Sequence, residues 1–213
     1  MKTRDVQIIK EGLTLSGLLA VPEKATGIVL FSHGSGSGRF SPRNQYVANV
    51  LVKAGVAVLL LDLLTPEEEA VDEITREIRF DIPLLAERLK IALDWVSMQP
   101  ETAKLKLGLF GASTGAAASL IAAAKRDDVA AIVSRGGRVD LVQMVLPQVK
   151  SPTLFIVGGA DYGVIELNEA AFQQLKCEKK FEIVPNANHL FEEPGALESV
   201  STHALRWFIS YLK

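Results

Sequence analysis

The residues best suited to covalent chemistry lie in Gly111-Ala-Ser-Thr-Gly115, which matches G-x-S-x-G. An apolar run ends just before it at Phe110, and an alanine-rich stretch follows, so the serine falls at a strand-to-helix turn. A turn this sharp strains the serine backbone, and the glycines are needed because a side chain two residues away on either side would strike the bend. Ser113 then stands clear at the mouth of the helix, where it can act as a nucleophile.

A serine hydroxyl is a poor nucleophile at neutral pH, so an imidazole must take its proton and a carboxylate must orient that imidazole. The chain has three histidines. His203 lies in the C-terminal apolar-periodic segment and reads as a helix-surface or core residue. His33 precedes Gly34 at the end of an apolar run and reads as shaping a loop. His189 follows the run 181–184 through Pro185-Asn-Ala-Asn188, which places it beyond a strand's carboxyl end as the expected base. Asp161 follows the run 153–157 and two glycines, and is the expected orienting acid. Asp140, Asp62 and Glu166 are its rivals, although Asp140 also suits a helix cap and Asp62 comes much earlier in the chain.

A tetrahedral intermediate needs two preorganised N–H donors where its oxyanion develops. One is expected at Thr114, directly after the nucleophile. The other is expected in the glycine-rich run 31–38, at Ser35, with Gly34 the near alternative. That run also invites a dinucleotide-binding reading, with Asp62 as a ribose-binding acid. The spacing fails, because Arg39 stands where Gly34-Ser-Gly36 would require Gly or Ala, and Ser41 stands at the sixth residue from Gly36. No Gly-Lys-Ser/Thr follows, which excludes a Walker A loop. The expectation is therefore no cofactor and no metal. A dinucleotide-binding oxidoreductase and a non-catalytic binding module remain as alternatives, to be separated by NAD(P)H titration and by assay.

These groups need a rigid frame. Two short β-type runs, 6–9 and 13–21, flank Glu11-Gly12 and suggest an antiparallel hairpin. Six apolar runs follow, at 27–32, 56–61, 105–110, 130–134, 153–157 and 181–184, of the kind buried on both faces of a parallel sheet. Between them lie helical spacings. The clearest is Ile82, Leu85, Leu89, Ala92, Leu93 and Val96, with Asp81 as cap and Pro83 in the first turn. Others are expected at 44–53, 115–125, 141–145, 166–175 and 197–212. The polar stretch 65–79, with Glu67, Glu68 and Glu69 together, reads as a solvated excursion. The fold class is α/β: a mostly parallel sheet with helices on both faces.

Composition narrows the partners. In 213 residues, 23 Lys and Arg against 25 Asp and Glu leave a net charge of −2, which offers no basic field for nucleic acid. With 48% hydrophobic and 23% charged residues the chain has the balance of a soluble globular protein. Apolar runs fall far short of the ~20 residues of a membrane span. The lone Cys177 allows no internal disulfide, and the charged start carries no signal-peptide core, so a cytoplasmic enzyme is expected.

His33-Gly34, Gly111-Ala-Ser-Thr-Gly115, Gly158-Gly-Ala-Asp161 and Asn188-His189-Leu-Phe, in this order, resemble the α/β-hydrolase superfamily, and within it the small, lidless dienelactone hydrolase family. Dienelactone hydrolases proper carry cysteine at the elbow, where this chain has Ser113. The resemblance implies an α/β-hydrolase fold over residues 1–213 as one domain, without a large lid. It implies a serine hydrolase that cleaves small soluble carboxylic esters, lactones or thioesters through an acyl-enzyme. Arg39, Arg135 and Arg138 are candidates to hold an anionic substrate group, although Arg135 and Arg138 read more readily as salt-bridged or plain surface arginines.

Overall fold

A computed structural model describes residues 2–213. Its strands are β1 (Arg4–Lys10), β2 (Leu13–Ala20), β3 (Gly27–Ser32), β4 (Ala57–Leu61), β5 (Lys106–Ala112), β6 (Val129–Arg135), β7 (Thr153–Gly158) and β8 (Lys179–Val184). They form one sheet in the order β1-β2-β4-β3-β5-β6-β7-β8. The first two pair antiparallel as the expected hairpin, β2 meets β4 antiparallel, and the rest run parallel. Central strands β3, β4 and β7 are buried at every residue, which is why their sequences show no alternation.

The helices are α1 (Pro42–Lys53), α2 (Pro66–Thr75), α3 (Ile82–Met98), α4 (Thr114–Ala124), α5 (Tyr162–Gln174) and α6 (Ala196–Tyr211). One face of the sheet packs on α3, α4 and α5 through Leu85, Leu89, Leu93, Ala117, Leu120 and Ala171. The other packs on α1 and α6 through Val47, Leu51, Val200, Ala204 and Phe208. The helix pattern read at 82–96 is thus the stripe that α3 buries. Because α4 is built from alanines, it lies close against β5 and β6, and Ala116, Ala117, Ala118 and Ala122 are fully enclosed.

Two segments differ from expectation. Residues 141–145 form no α-helix; the connection from β6 to β7 is made by two 3-10 turns, Val139–Val142 and Leu146–Gln148. Its valines are stiff at χ1 and Pro147 lacks a donor, so a short connection favours isolated turns. The stretch 65–79 is not merely a solvated excursion but carries α2 and a 3-10 turn, Ile78–Phe80. The Thr65 hydroxyl accepts from the Glu68 N–H while the Glu68 carboxylate accepts from the Thr65 N–H, which completes a capping box with Pro66 in the first turn.

Candidate active site

Ser113 sits between β5 and α4 at φ 50°, ψ −119°, a conformation that costs a non-glycine residue about 1–3 kcal/mol and persists only when its surroundings enforce it. They do so through the backbone. The Ser113 N–H donates to the Arg135 carbonyl at 3.1 Å, and the Ser113 carbonyl accepts from the Arg138 and Ala116 N–H groups. A Cβ on Gly115 would lie 2.2 Å from the Ser32 carbonyl oxygen, and one on Gly111 would lie 2.4 Å from the Ala116 Cα. Both glycines are therefore required by close approach. The buried Ser32 hydroxyl closes the junction, donating to the Gly115 carbonyl at 2.8 Å and pairing with the Ser119 hydroxyl at 2.7 Å.

Residues from three strand ends converge here. His189 Nε2 lies 3.4 Å from Ser113 Oγ, and His189 Nδ1 lies 2.7 Å from Asp161 Oδ2. The first contact is long, as such contacts commonly are before substrate draws them in. Asp161 precedes α5 at the cap position but makes no capping bond, so its carboxylate is directed to His189 instead. The rivals are placed elsewhere. Asp140 accepts twice from the Arg138 guanidinium, Asp62 pairs with Arg39, and Glu166 faces a separate hollow beside Phe172 and Phe181. His203 lies on α6, 3.6 Å from Glu182.

Thr114 opens α4, where the first N–H groups of a helix have no intrahelical acceptor and carry the positive end of its dipole. Across from it, Gly34 packs so close that a Cβ there would stand 3.2 Å from the Ser113 Cβ, bringing the Gly34-Ser35 backbone alongside Ser113. Buried His33 fixes this loop. Its Nε2 accepts from the Leu63 N–H at 3.1 Å, which leaves Nδ1 to carry the proton and donate to the Gly34 carbonyl at 2.9 Å. Burial lowers the His33 pKa, against the opposing effects of Gly34 and Asp62, so the ring is neutral and locked in one tautomer.

Two adjoining cavities share the wall Gly34-Ser35 with Ser37. One, of about 170 Å³, is bounded by Ser113, His189, Arg135, Arg43 and Leu190. The other, of about 270 Å³, is bounded by His33, Thr114, Leu64, Leu85 and the α2 side chains Glu69 and Glu73. Of the three arginines singled out from sequence, only Arg135 borders either cavity. Arg39 is held by Asp62 and stacks on Phe40, and Arg138 is held by Asp140. The acid that a ribose would need is thereby occupied. Arg43 and the α2 wall were not anticipated. Arg43 enters because α1, capped by Ser41, begins at Pro42, two residues ahead of the expected start. The T-x-x-E signature at Thr65 to Glu68 announced α2, but no apolar stripe supported it.

Among the described residues no helix is long and apolar enough to cross a membrane, and no cluster of His, Cys, Asp or Glu suits a metal. An eight-stranded sheet of this order, with a strained serine turn after β5, an aspartate after β7 and a histidine after β8, has the α/β-hydrolase fold. The family model for the dienelactone hydrolase family matches residues 15–211, and the chain belongs to that family. It is similar to a dienelactone hydrolase from Anabaena variabilis, with 56% identity and a TM-score of 0.98 over 100% of this chain and 99% of that one. An esterase from Pyrococcus furiosus shares the fold, with a TM-score of 0.80 at 17% identity over 100% of this chain and 92% of that one. A Mycobacterium tuberculosis protein, provisionally named a phosphoribosyl transferase, is 52% identical over all 213 residues. The chain spans about half the length of that relative, 47%.

Proposed function

We propose that residues 1–213 form one catalytic domain that hydrolyses small soluble carboxylic esters, lactones or thioesters through a Ser113 acyl-enzyme. The observation that carries this reading is the hydrogen-bonded chain from Ser113 Oγ through His189 to Asp161, built on a strained elbow. His189 Nε2 takes the hydroxyl proton as Oγ attacks the carbonyl carbon. The carbonyl oxygen becomes an oxyanion facing the Thr114 and Ser35 N–H groups, each such donor being worth about 2.7–4 kcal/mol in the transition state. The bond from carbon to the alcohol oxygen (or thioester sulfur) then breaks, and the departing atom takes the proton from Nε2. Water repeats the sequence on the acyl-enzyme, giving its proton to His189 and releasing the acid. Asp161 holds the imidazole in the useful tautomer.

Cavities of about 170 and 270 Å³ suit short groups on both sides of the ester rather than long acyl chains. The test is labelling with a fluorophosphonate, followed by turnover of p-nitrophenyl acetate. Labelling is expected at Ser113 alone, and Ser113→Ala is expected to abolish it and to lower turnover by roughly 10⁶-fold, the scale seen when a triad nucleophile is removed. Labelling at another residue, or undiminished turnover in the variant, overturns the mechanism.

A further inference from the structure

Asn168 is fully buried in the middle of α5, and only the donor half of its amide is engaged. Its Nδ2 donates at 2.8 Å to the Val164 carbonyl, one turn back in the same helix, and at 2.8 Å to the Gly137 carbonyl, which lies outside it. Its Oδ1 is buried without a hydrogen-bond partner. A leucine would fill the same space without leaving a polar atom unsatisfied, so the bond to Gly137 is what the amide supplies.

The segment 135–138, at the end of β6, is where the Ser113 turn and the His189 ring meet. The Arg135 carbonyl accepts from the Ser113 N–H, and the Arg138 N–H donates to the Ser113 carbonyl, each at 3.1 Å. Between them Gly136, at φ 52°, comes so near His189 that a Cβ there would stand 3.3 Å from both Cε1 and Nδ1, the second being the ring atom that faces Asp161. Gly137 backs onto α4, since a Cβ on it would meet Ser134 Oγ at 2.2 Å and the Ala116 Cβ at 2.9 Å.

Asp161 and Asn168 stand seven residues apart, at the start and in the middle of α5. Seven residues are about two turns, which returns the chain to the same face of a helix. One side of α5 therefore meets the site twice: Asp161 holds His189, and two turns on Asn168 holds the segment against which His189 and Ser113 rest. With one tie alone, α5 could pivot about it and carry Asp161 along. The second tie removes that freedom. Asn168 borders neither cavity, so its effect does not pass through substrate contact.

Building on the serine-hydrolase reading above, we propose that Asn168 is a positioning residue: by tying the helix that follows Asp161 to the segment that seats Ser113 and His189, it sets the alignment of His189 Nε2 on Ser113 Oγ.

Asn168→Leu removes the donor and keeps the bulk. Turnover of p-nitrophenyl acetate, expressed per site labelled by fluorophosphonate at end point, is expected to fall by roughly 10²-fold in kcat, the cost of a misplacement of about 1 Å caused from outside the site. KM should change by no more than a few-fold, and the rate of labelling should fall in step with kcat. Asn168→Ala also lacks the donor but cannot overfill the site, so it should show the same loss and carries the test if the leucine variant does not fold. The deciding measurement is the double variant. If Asn168 acts through His189, its removal from Asp161→Asn, where the ring is no longer held in its useful tautomer, should cost only a few-fold, whereas a residue that merely supports the fold costs the same in either background. An unchanged kcat per labelled site, a loss carried by KM, or equal losses in the two backgrounds overturns the proposal. A wild type that does not label at Ser113, or an Asp161→Asn variant as active as the wild type, overturns the hydrolase reading beneath it instead.

Discussion

The elbow around Ser113 and the α2 wall of the neighbouring cavity are made from opposite materials. At the elbow, backbone meets backbone: Gly115 lies against the Ser32 and His33 carbonyls, α4 is sheathed in buried alanines, and three backbone hydrogen bonds fix Ser113 itself. In α2 the only buried residue is Asp72, while Val71 and Ile74 are 52% and 86% exposed. What holds α2 is polar. A capping box fixes its start, and beyond its end Asp72 accepts from the Arg79 N–H at 2.9 Å and from Arg79 Nε at 2.6 Å. The Ser113 turn is thus placed where nothing can yield, and the α2 wall of the cavity is attached by a few separable contacts. Local opening should follow the same division, low in α2 and near global unfolding at the elbow.

On the rigid side, after the loss expected of Ser113→Ala, the next largest effect comes from Asp161→Asn. The fold should persist, but the imidazole would be held in the wrong tautomer, a change worth about 10⁴ in kcat in the serine-protease example. Asp140→Asn, which removes only an Arg138 partner, should change turnover by less than a few-fold. Steady-state kinetics on both variants decide, and a crippled Asp140→Asn beside an active Asp161→Asn would transfer the acid's role. Next comes Gly115→Ala. Its methyl group would have to displace strand backbone, so the loss should reach or exceed the upper end of the about 1–3 kcal/mol typical of overpacking. Equilibrium denaturation measures it, and a variant as stable as the wild type would show that the elbow is not rigid.

The same division explains what could be read from the chain alone. The parallel strands were legible because burial on both faces leaves unbroken apolar runs such as 56–61 and 153–157. Ser113, Asp161 and His189 were legible as candidates because each follows such a run, and the structure brings these three together. Asp161 was preferred over Asp140 from the chain itself, because Asp140 also suits a helix cap; the structure adds that Asp140 is engaged by Arg138 while Asp161 lies beside His189. Arg39 and Arg138 looked as available as Arg135 because a sequence does not display their partners. The α2 helix escaped because its support is a cap and an ion pair, not a periodic apolar stripe. The role of His33 was visible only as loop-shaping; the latch to Leu63 joins residues 30 apart in sequence.

The smallest effect should come from acid, and it should be confined to the α2 side. Burial alone would push the Asp72 carboxyl up, but hydrogen bonds from the Arg79 backbone and side chain, with its charge, outweigh that and hold the pKa below the ordinary carboxylate value. A carboxylate whose folded pKa is depressed stabilises the fold fully above its unfolded pKa, and that contribution is lost as pH falls through the folded value. The contact should therefore be intact at neutral pH and begin to weaken only below the ordinary carboxylate range. Asp72 and Arg79 fasten α2 to the following turn and not to the sheet core, so protonation should release residues 66–80 before it unfolds β5 or α4. Hydrogen exchange on a pH series, corrected for intrinsic rates, should show protection falling first in α2, while amides of α4 and β5 keep theirs. Asp72→Asn should bring that opening up to neutral pH and remove its pH dependence. If α2 and α4 instead lose protection together at every pH, the wall and the elbow are one cooperative unit, and the contrast between them does not extend to stability.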